Sequence, residues 1–319
     1  MRLIGWVAAL VAMITAVPAT AEPAPREITA PGPLADLHGT LIDAGKGKPV
    51  VLIVPGSGPT DRDGDNPLGV KAAPYRLLAE ALAARGIGSV RIDKRGMFAS
   101  KAAVADASKV TVADYVADIT AWVAAARAAT GAKCVWLLGH SEGGLMVLAT
   151  GDAPGVCGII TVSAPGRPFD VLIREQIHAN PANAVVFDQV DAALAKLKAG
   201  EHVDTAQLHP GLATLFYPAV QDYLIDLIRH DPAALAARVK APMLILQGLA
   251  DIQVSETDAR ALAAAQPKAK LVLLPGVNHV LKQVGAGDRA ANLATYANPD
   301  LPIDPSAVDA VAGFVTARR

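Results

Sequence analysis

The chain has 319 residues, 52% hydrophobic and 18% charged, with a formal net charge of -1. That composition supplies ample apolar material for a large globular core, and the near-neutral balance without a basic run excludes nucleic acid as the expected partner. The length allows two domains or a single α/β domain with an insertion.

Met1-Arg2 is followed by the uncharged run LIGWVAALVAMITAV and then by PATAEP. A basic start, a short apolar stretch and Ala19-Thr20-Ala21 match a secretory signal over residues 1–21, cleaved after Ala21. The run falls short of the roughly 20 apolar residues that span a bilayer, so no stable membrane span is expected after cleavage. The expected destination is the periplasm or the medium.

From there short β-rich runs alternate with Ala-rich helical stretches, which predicts a mostly parallel sheet with helices on both faces. LHGTLIDA reads as an early strand, paired antiparallel with a segment near Ile28. PVVLIVPG is a continuous apolar run ending in Pro-Gly, the pattern of a strand buried on both faces. APYRLLAEALAARG has helical spacing, IGSVRID is the next strand, and TVADYVADITAWVAAARAATG is a helix with Thr111 as N-cap. CVWLLGHSEGGLMVLAT reads as strand, glycine-rich turn and helix, and GIITVSAP as another strand. APMLILQGLAD and KLVLLPGVNH are the last two strands, separated by the helical ETDARALAAAQ, and a closing helix follows Asp304. Between Pro165 and Lys240 the rhythm breaks into amphipathic helices only. The expected organisation is therefore a core of residues 22–164 and 241–319, with a helical cap over 165–240 covering the sheet's C-terminal edge.

Ser141 sits in LGHSEGG, a G-x-S-x-G turn between an apolar strand and an apolar helix, which is the setting of a nucleophile elbow. A serine hydroxyl needs a base to take its proton and a third group to orient that base. His279, in LPGVNHVLK after the last strand, is the expected base, because His140 adjoins the serine and diverges from it at the turn. Asp251, at the exit of LILQGLAD, is the expected acid, giving the chain order Ser, Asp, His. An oxyanion would need two backbone N–H donors. Glu142, next after the serine, supplies one, and Ser57, between Gly56 and Gly58 in VPGSGPTD, the other. Leu215, Phe216 and Tyr217 are the expected cap residues for substrate binding. DRDGDN mimics a calcium loop, but its glycine is misplaced and the twelfth position is Ala72, so its acids are expected to make turn hydrogen bonds with Arg62 as a local partner.

With PGSGPTDRDGDNP, DKRG and LGHSEGG together, the chain from about Ile28 to Phe314 resembles the α/β-hydrolase superfamily. Within it the chain is similar to secreted or periplasmic bacterial serine esterases of the dienelactone-hydrolase and serine-aminopeptidase-like branches. The resemblance implies hydrolysis of small or medium carboxylic esters through Ser141, Asp251 and His279, with neither metal nor organic cofactor. It departs from the pattern after DKRG, where Met97-Phe98-Ala99-Ser100 replaces a glycine and a serine, in a loop expected to border the pocket. It also has Pro55-Gly56 where many relatives have His-Gly. The same machinery could act on a thioester or an N-terminal peptide bond, the latter needing an amine anchor among Glu175, Asp222 and Asp226. A binding protein that has kept only the fold is the alternative from another class.

Cys134 and Cys157 each begin a run read as one of two consecutive parallel strands. Strand neighbours lie about 4.8 Å apart, so a structural disulfide at the edge opposite the site is expected if register and side-chain direction agree. A one-residue slip would instead leave two buried thiols.

Overall fold

The computed structural model describes residues 23–285 and 287–317; the expected signal segment lies outside them. Eight strands, β1 (Arg26–Ala30), β2 (Leu37–Ile42), β3 (Val50–Val54), β4 (Gly88–Ile92), β5 (Val135–His140), β6 (Val156–Val162), β7 (Met243–Gly248) and β8 (Lys270–Leu274), form one sheet. Their spatial order is β1-β2-β4-β3-β5-β6-β7-β8. β2 runs antiparallel to both of its neighbours, with Ile28 opposite Gly39, and all other pairs are parallel.

The continuous apolar runs exist because the central strands are covered on both faces. Side chains alternate along a strand, so one run feeds two cores. Val50, Leu52, Val54, Val135, Leu137, Met243 and Ile245 enter one layer, and Val51, Ile53, Trp136, Leu138, Leu244 and Leu246 the other. Three helices precede the insertion: α1 (Pro74–Ala83), α2 (Val112–Thr130) and α3 (Glu142–Thr150). α2 opens with a capping box in which the Thr111 hydroxyl accepts from the Asp114 N–H and the Asp114 carboxylate accepts from the Thr111 N–H. It packs Ile119, Trp122 and Val123 into the first layer, while α1 sends Leu78 and Leu82 into the second.

Between β6 and β7 lie α4 (Phe169–His178), α5 (Phe187–Ala199), α6 (Pro210–Leu215), α7 (Pro218–Ile228) and α8 (Pro232–Ala236). They carry a core of their own, built from Val190, Leu194, Leu197, Phe216, Ile225 and Ile228. The insertion docks on the first layer's helices. The Asp226 carboxylate accepts from the Val112 N–H at 2.8 Å, and the Tyr223 ring meets the Tyr115 ring edge-on at 6.0 Å. α9 (Glu256–Ala265), the short α10 (Arg289–Ala294) and α11 (Pro305–Thr316) complete the chain, α11 lying with α1 on the second layer. Among the described residues no helix is long and apolar enough to cross a membrane.

Cys134 and Cys157 form a disulfide with a Cα separation of 5.1 Å. Its register comes from an irregularity: Val135 lies opposite Val156 but Trp136 lies opposite Gly158, so Cys157 is the extra residue of a bulge. The bond closes a loop of 23 residues. Removing it with Cys134→Ala and Cys157→Ala is expected to cost about 3 kcal/mol of stability through loop entropy. Turnover per folded molecule should not change, because β5 separates the bond from Ser141 by about 20 Å of strand rise. Urea unfolding of both proteins checks this, and coincident midpoints would contradict it.

Candidate active site

Ser141 joins β5 to α3 with φ 53° and ψ -126°, a strained backbone for a residue that carries a side chain. The turn is clamped on both sides: the Ser141 N–H donates to the Val162 carbonyl at 2.9 Å, and the Gly144 N–H donates to the Ser141 carbonyl at 2.8 Å. No side chain fits around it. A Cβ on Gly139 would stand 2.1 Å from the Gly143 carbonyl oxygen, and one on Gly143 would stand 2.4 Å from that of Val54. Glu142 is the first residue of α3, so its N–H is among those a helix leaves without an internal partner.

His279 follows β8 on a loop, with its ring Nδ1 2.8 Å from Asp251 Oδ2. Asp251 Oδ1 accepts from the N–H groups of Gln253 (2.8 Å) and Val254 (3.0 Å). Burial alone would raise the Asp251 carboxyl. The charge and hydrogen bond of His279, with the two N–H donors, outweigh it and hold the group below its ordinary value. An ionised Asp251 makes Nδ1 the protonated nitrogen and leaves Nε2 free to accept. The loop carrying His279 is tied down by Asn278, whose side-chain amide donates to Asn292 Oδ1 (3.0 Å) and Thr295 Oγ1 (2.7 Å).

Ser141, His279 and Ser57 line one cavity of about 150 Å³, together with Thr60, Asn66, Val70, Tyr75, Gln253 and Tyr296. Leu215, Phe216 and Tyr217, the cap residues expected to bind substrate, are not among its walls. Phe216 is fully buried in the insertion's own core, whereas Leu215 and Tyr217 face outward, Tyr217 with 59% of its surface exposed. The insertion reaches the site through hydrogen bonds from the Gln176 amide to the Gln253 carbonyl and from the Tyr223 hydroxyl to Glu142 Oε1. Phe98 lies beside this cavity rather than in its wall. It borders a separate open cleft of about 390 Å³ that shares Asn66 and Val70 with the Ser141 cavity.

Beneath the site lies a relay that has no signature in the sequence. The Gly56 N–H donates to the Tyr75 hydroxyl (3.1 Å), which lies 2.8 Å from His140 Nδ1, and His140 Nε2 lies 2.8 Å from the His279 carbonyl oxygen. A carbonyl only accepts, so His140 carries its proton on Nε2 and its Nδ1 accepts from Tyr75. One ring thus links the Ser57 loop to the backbone of His279. Burial, helped by the charge of His279, pushes the His140 pKa down from 6.5 to about 3. The unfolded chain therefore takes up a proton that the folded chain refuses. The stability associated with neutral His140 is complete above pH 6.5 and is lost as pH falls towards 3, by up to about 1.4 kcal/mol per pH unit. His140→Asn should lower stability at pH 7 yet show a shallower decline between pH 6.5 and 4 by denaturant unfolding. Identical slopes would contradict the assignment.

The acidic loop is local scaffolding, but Arg62 does not pair with its neighbours as expected. Its guanidinium donates to Asp93 Oδ2 (2.6 Å) and to Glu27 Oε2 (2.9 Å), while Asp63 pairs with Arg91. Asp61 does make turn bonds, accepting from the N–H groups of Asp63 and Asp65, whereas Asp65 accepts from the more distant Ala73 N–H. In DKRG, Asp93 thus anchors the loop that follows Ser57, and Arg95 grips Asp118 and Asp114 of α2. The proposed amine anchors are also engaged elsewhere: Glu175 with Arg167, Asp222 with Lys109 and His202, and Asp226 with the Val112 N–H.

Comparison with known proteins agrees with this architecture. A family model described as serine aminopeptidase, S33 (Hydrolase_4) matches residues 68–208. Esterase EstD of Thermotoga maritima is 27% identical over 240 residues, 73% of this chain and 54% of that protein, so the match spans about half the relative's length. Among solved structures, Est1E from Butyrivibrio proteoclasticus superposes with a TM-score of 0.56 at 16% identity, covering 92% of this chain and 99% of its own. The Pyrococcus furiosus esterase Pf2001 gives 0.56 at 17% identity, over 81% and 84%. A hydrolase from Pseudomonas aeruginosa PA01 gives 0.52 at 20% identity, over 89% and 95%. With its strand order, its Ser141 elbow and these likenesses, the chain has the α/β-hydrolase fold.

Proposed function

We propose that this protein is a serine-dependent carboxylic ester hydrolase acting on small, uncharged acyl groups. The observation that carries this reading is the cavity shared by Ser141 and His279, with Asp251 bonded behind the imidazole. His279 Nε2 takes the Ser141 proton as Oγ attacks the acyl carbon, and the oxyanion forms against the N–H groups of Ser57 and Glu142. The leaving alkoxide takes that proton as alcohol. Water, deprotonated by the same nitrogen, then attacks the acyl carbon; Ser141 recovers its proton and the carboxylic acid departs.

Two features support a small ester over the alternatives. At about 150 Å³ the cavity is smaller than the 300–1,000 Å³ typical of drug-sized ligands. Its walls, among the described residues, include no Asp, Glu, Lys or Arg side chain to hold a free amine or carboxylate. Purified protein should hydrolyse p-nitrophenyl acetate and butyrate at least tenfold faster, in kcat/KM, than p-nitrophenyl octanoate. Aminoacyl-anilides should be hydrolysed more slowly than any of these esters. An anilide turned over faster than the acetate would overturn the ester reading in favour of the peptidase one. We also propose export through residues 1–21 to the periplasm or medium, a reading that the disulfide supports because such bonds persist in oxidising compartments. Cell fractionation with N-terminal sequencing tests it: a mature chain starting at Glu22 is expected, and an unprocessed cytoplasmic chain would refute it.

A further inference from the structure

We propose that Lys94 is a positioning residue for oxyanion stabilisation, acting through the peptide that joins Gly56 to Ser57. Lys94 directly follows Asp93 at the end of β4, and its ammonium is buried beneath the loop that carries Ser57. Its Nζ donates to the Gly56 carbonyl oxygen at 2.6 Å. In a trans peptide that carbonyl and the next N–H lie in one plane and point in opposite directions. Holding the Gly56 carbonyl therefore sets the direction of the Ser57 N–H. Gly56 is pinned at its other end as well, by its N–H bond to Tyr75. The segment runs directly beside the nucleophile: a Cβ on Gly56 would stand 3.1 Å from that of Ser141.

The charge of Lys94 adds to the geometry. A cation at the carbonyl end polarises the peptide and makes its N–H a stronger donor, and this effect is large where water is excluded. A buried ammonium is costly unless it is compensated. Burial pulls the Lys94 pKa down and the nearby Glu142 carboxylate opposes that pull. Glu142 is itself buried and accepts from the Tyr223 hydroxyl at 2.7 Å, and the Lys94 ammonium lies 5.9 Å from the centre of the Tyr115 ring. One side chain of this buried cluster fixes one oxyanion donor, and another belongs to the residue whose own N–H is the second.

This inference rests on the reading of Ser141 as nucleophile and Ser57 as donor. The test compares Lys94→Met, which removes the donor, with Lys94→Gln, which can still donate but is neutral. For each, kcat and KM are measured on p-nitrophenyl acetate, together with the Ki of a trifluoromethyl ketone that adds to the serine and places an oxyanion in the site. Lys94→Met should lower kcat by about 30- to 100-fold, less than outright loss of one oxyanion donor, with KM within about threefold. The Ki should weaken by the same factor as kcat, and Lys94→Gln should recover part of both. Folded variants whose kcat stays within threefold of wild type would overturn the proposal. So would a fall in kcat without a matching change in Ki, or a failure of both variants to fold, which would assign Lys94 to stability alone. Ser141→Ala, run alongside, separates the two readings. If it leaves activity intact, the nucleophile is wrong; if it abolishes activity while Lys94→Met does nothing, only the role of Lys94 is.

Discussion

Ser141→Ala is expected to leave less than about one thousandth of the wild-type kcat on p-nitrophenyl acetate, without loss of fold. The hydroxyl is the only part of Ser141 the proposed chemistry needs, and the bonds that clamp the elbow, to Val162 and from Gly144, use the Ser141 backbone. The same geometry predicts a separation of stability from activity. At φ 53° and ψ -126° a side chain is strained, by about 1–3 kcal/mol, and glycine is not. Ser141→Gly should therefore be as inactive as Ser141→Ala yet more resistant to heat, although the greater freedom of glycine in the unfolded chain offsets part of the gain. Thermal unfolding with fluorophosphonate labelling reads both effects. Robust labelling of Ser141→Ala would show that the nucleophile lies elsewhere.

Asp251→Asn is the second large effect, and its cause can be followed atom by atom. Oδ1 of Asp251 accepts two backbone N–H groups, from Gln253 and Val254, while Oδ2 faces His279 Nδ1. An asparagine must keep its single oxygen where those two N–H groups point, which turns its NH2 towards the imidazole. Nδ1 then has to accept, so the ring proton moves to Nε2, the nitrogen that takes the proton of Ser141 in the proposed mechanism. The loss comes from this wrong tautomer together with the missing negative charge behind the imidazolium. A fall in kcat of roughly 10³- to 10⁴-fold is expected, with KM little changed. A loss smaller than tenfold in folded protein would mean that another carboxylate supports His279.

Much of this could be read from the chain alone. Runs such as VVLIV specify strands buried on both faces because no residue in them can face water, and Thr111 with Asp114 marks the start of α2 by local hydrogen bonding. The Ser141 elbow is equally local, since the glycines around it are dictated by atoms a few residues away or on the adjacent strand. The order of Ser141, Asp251 and His279 follows from where strands end. Contacts between distant segments were not encoded in this way. An amphipathic helix announces that one face is buried without saying against what, so Phe216, apolar and in the insertion, was expected at the pocket and instead fills the insertion's own core. The Cys134–Cys157 bond depended on a bulge that strand periodicity does not show. Tyr75 and His140, 65 residues apart, and Lys94 and Gly56, 38 apart, carry no local signature as partners. Only the path of the chain brings them together: α1 folds back along the sheet and β4 pairs beside β3, so their polar ends meet beneath the loop of Ser57, where burial obliges each to find a partner.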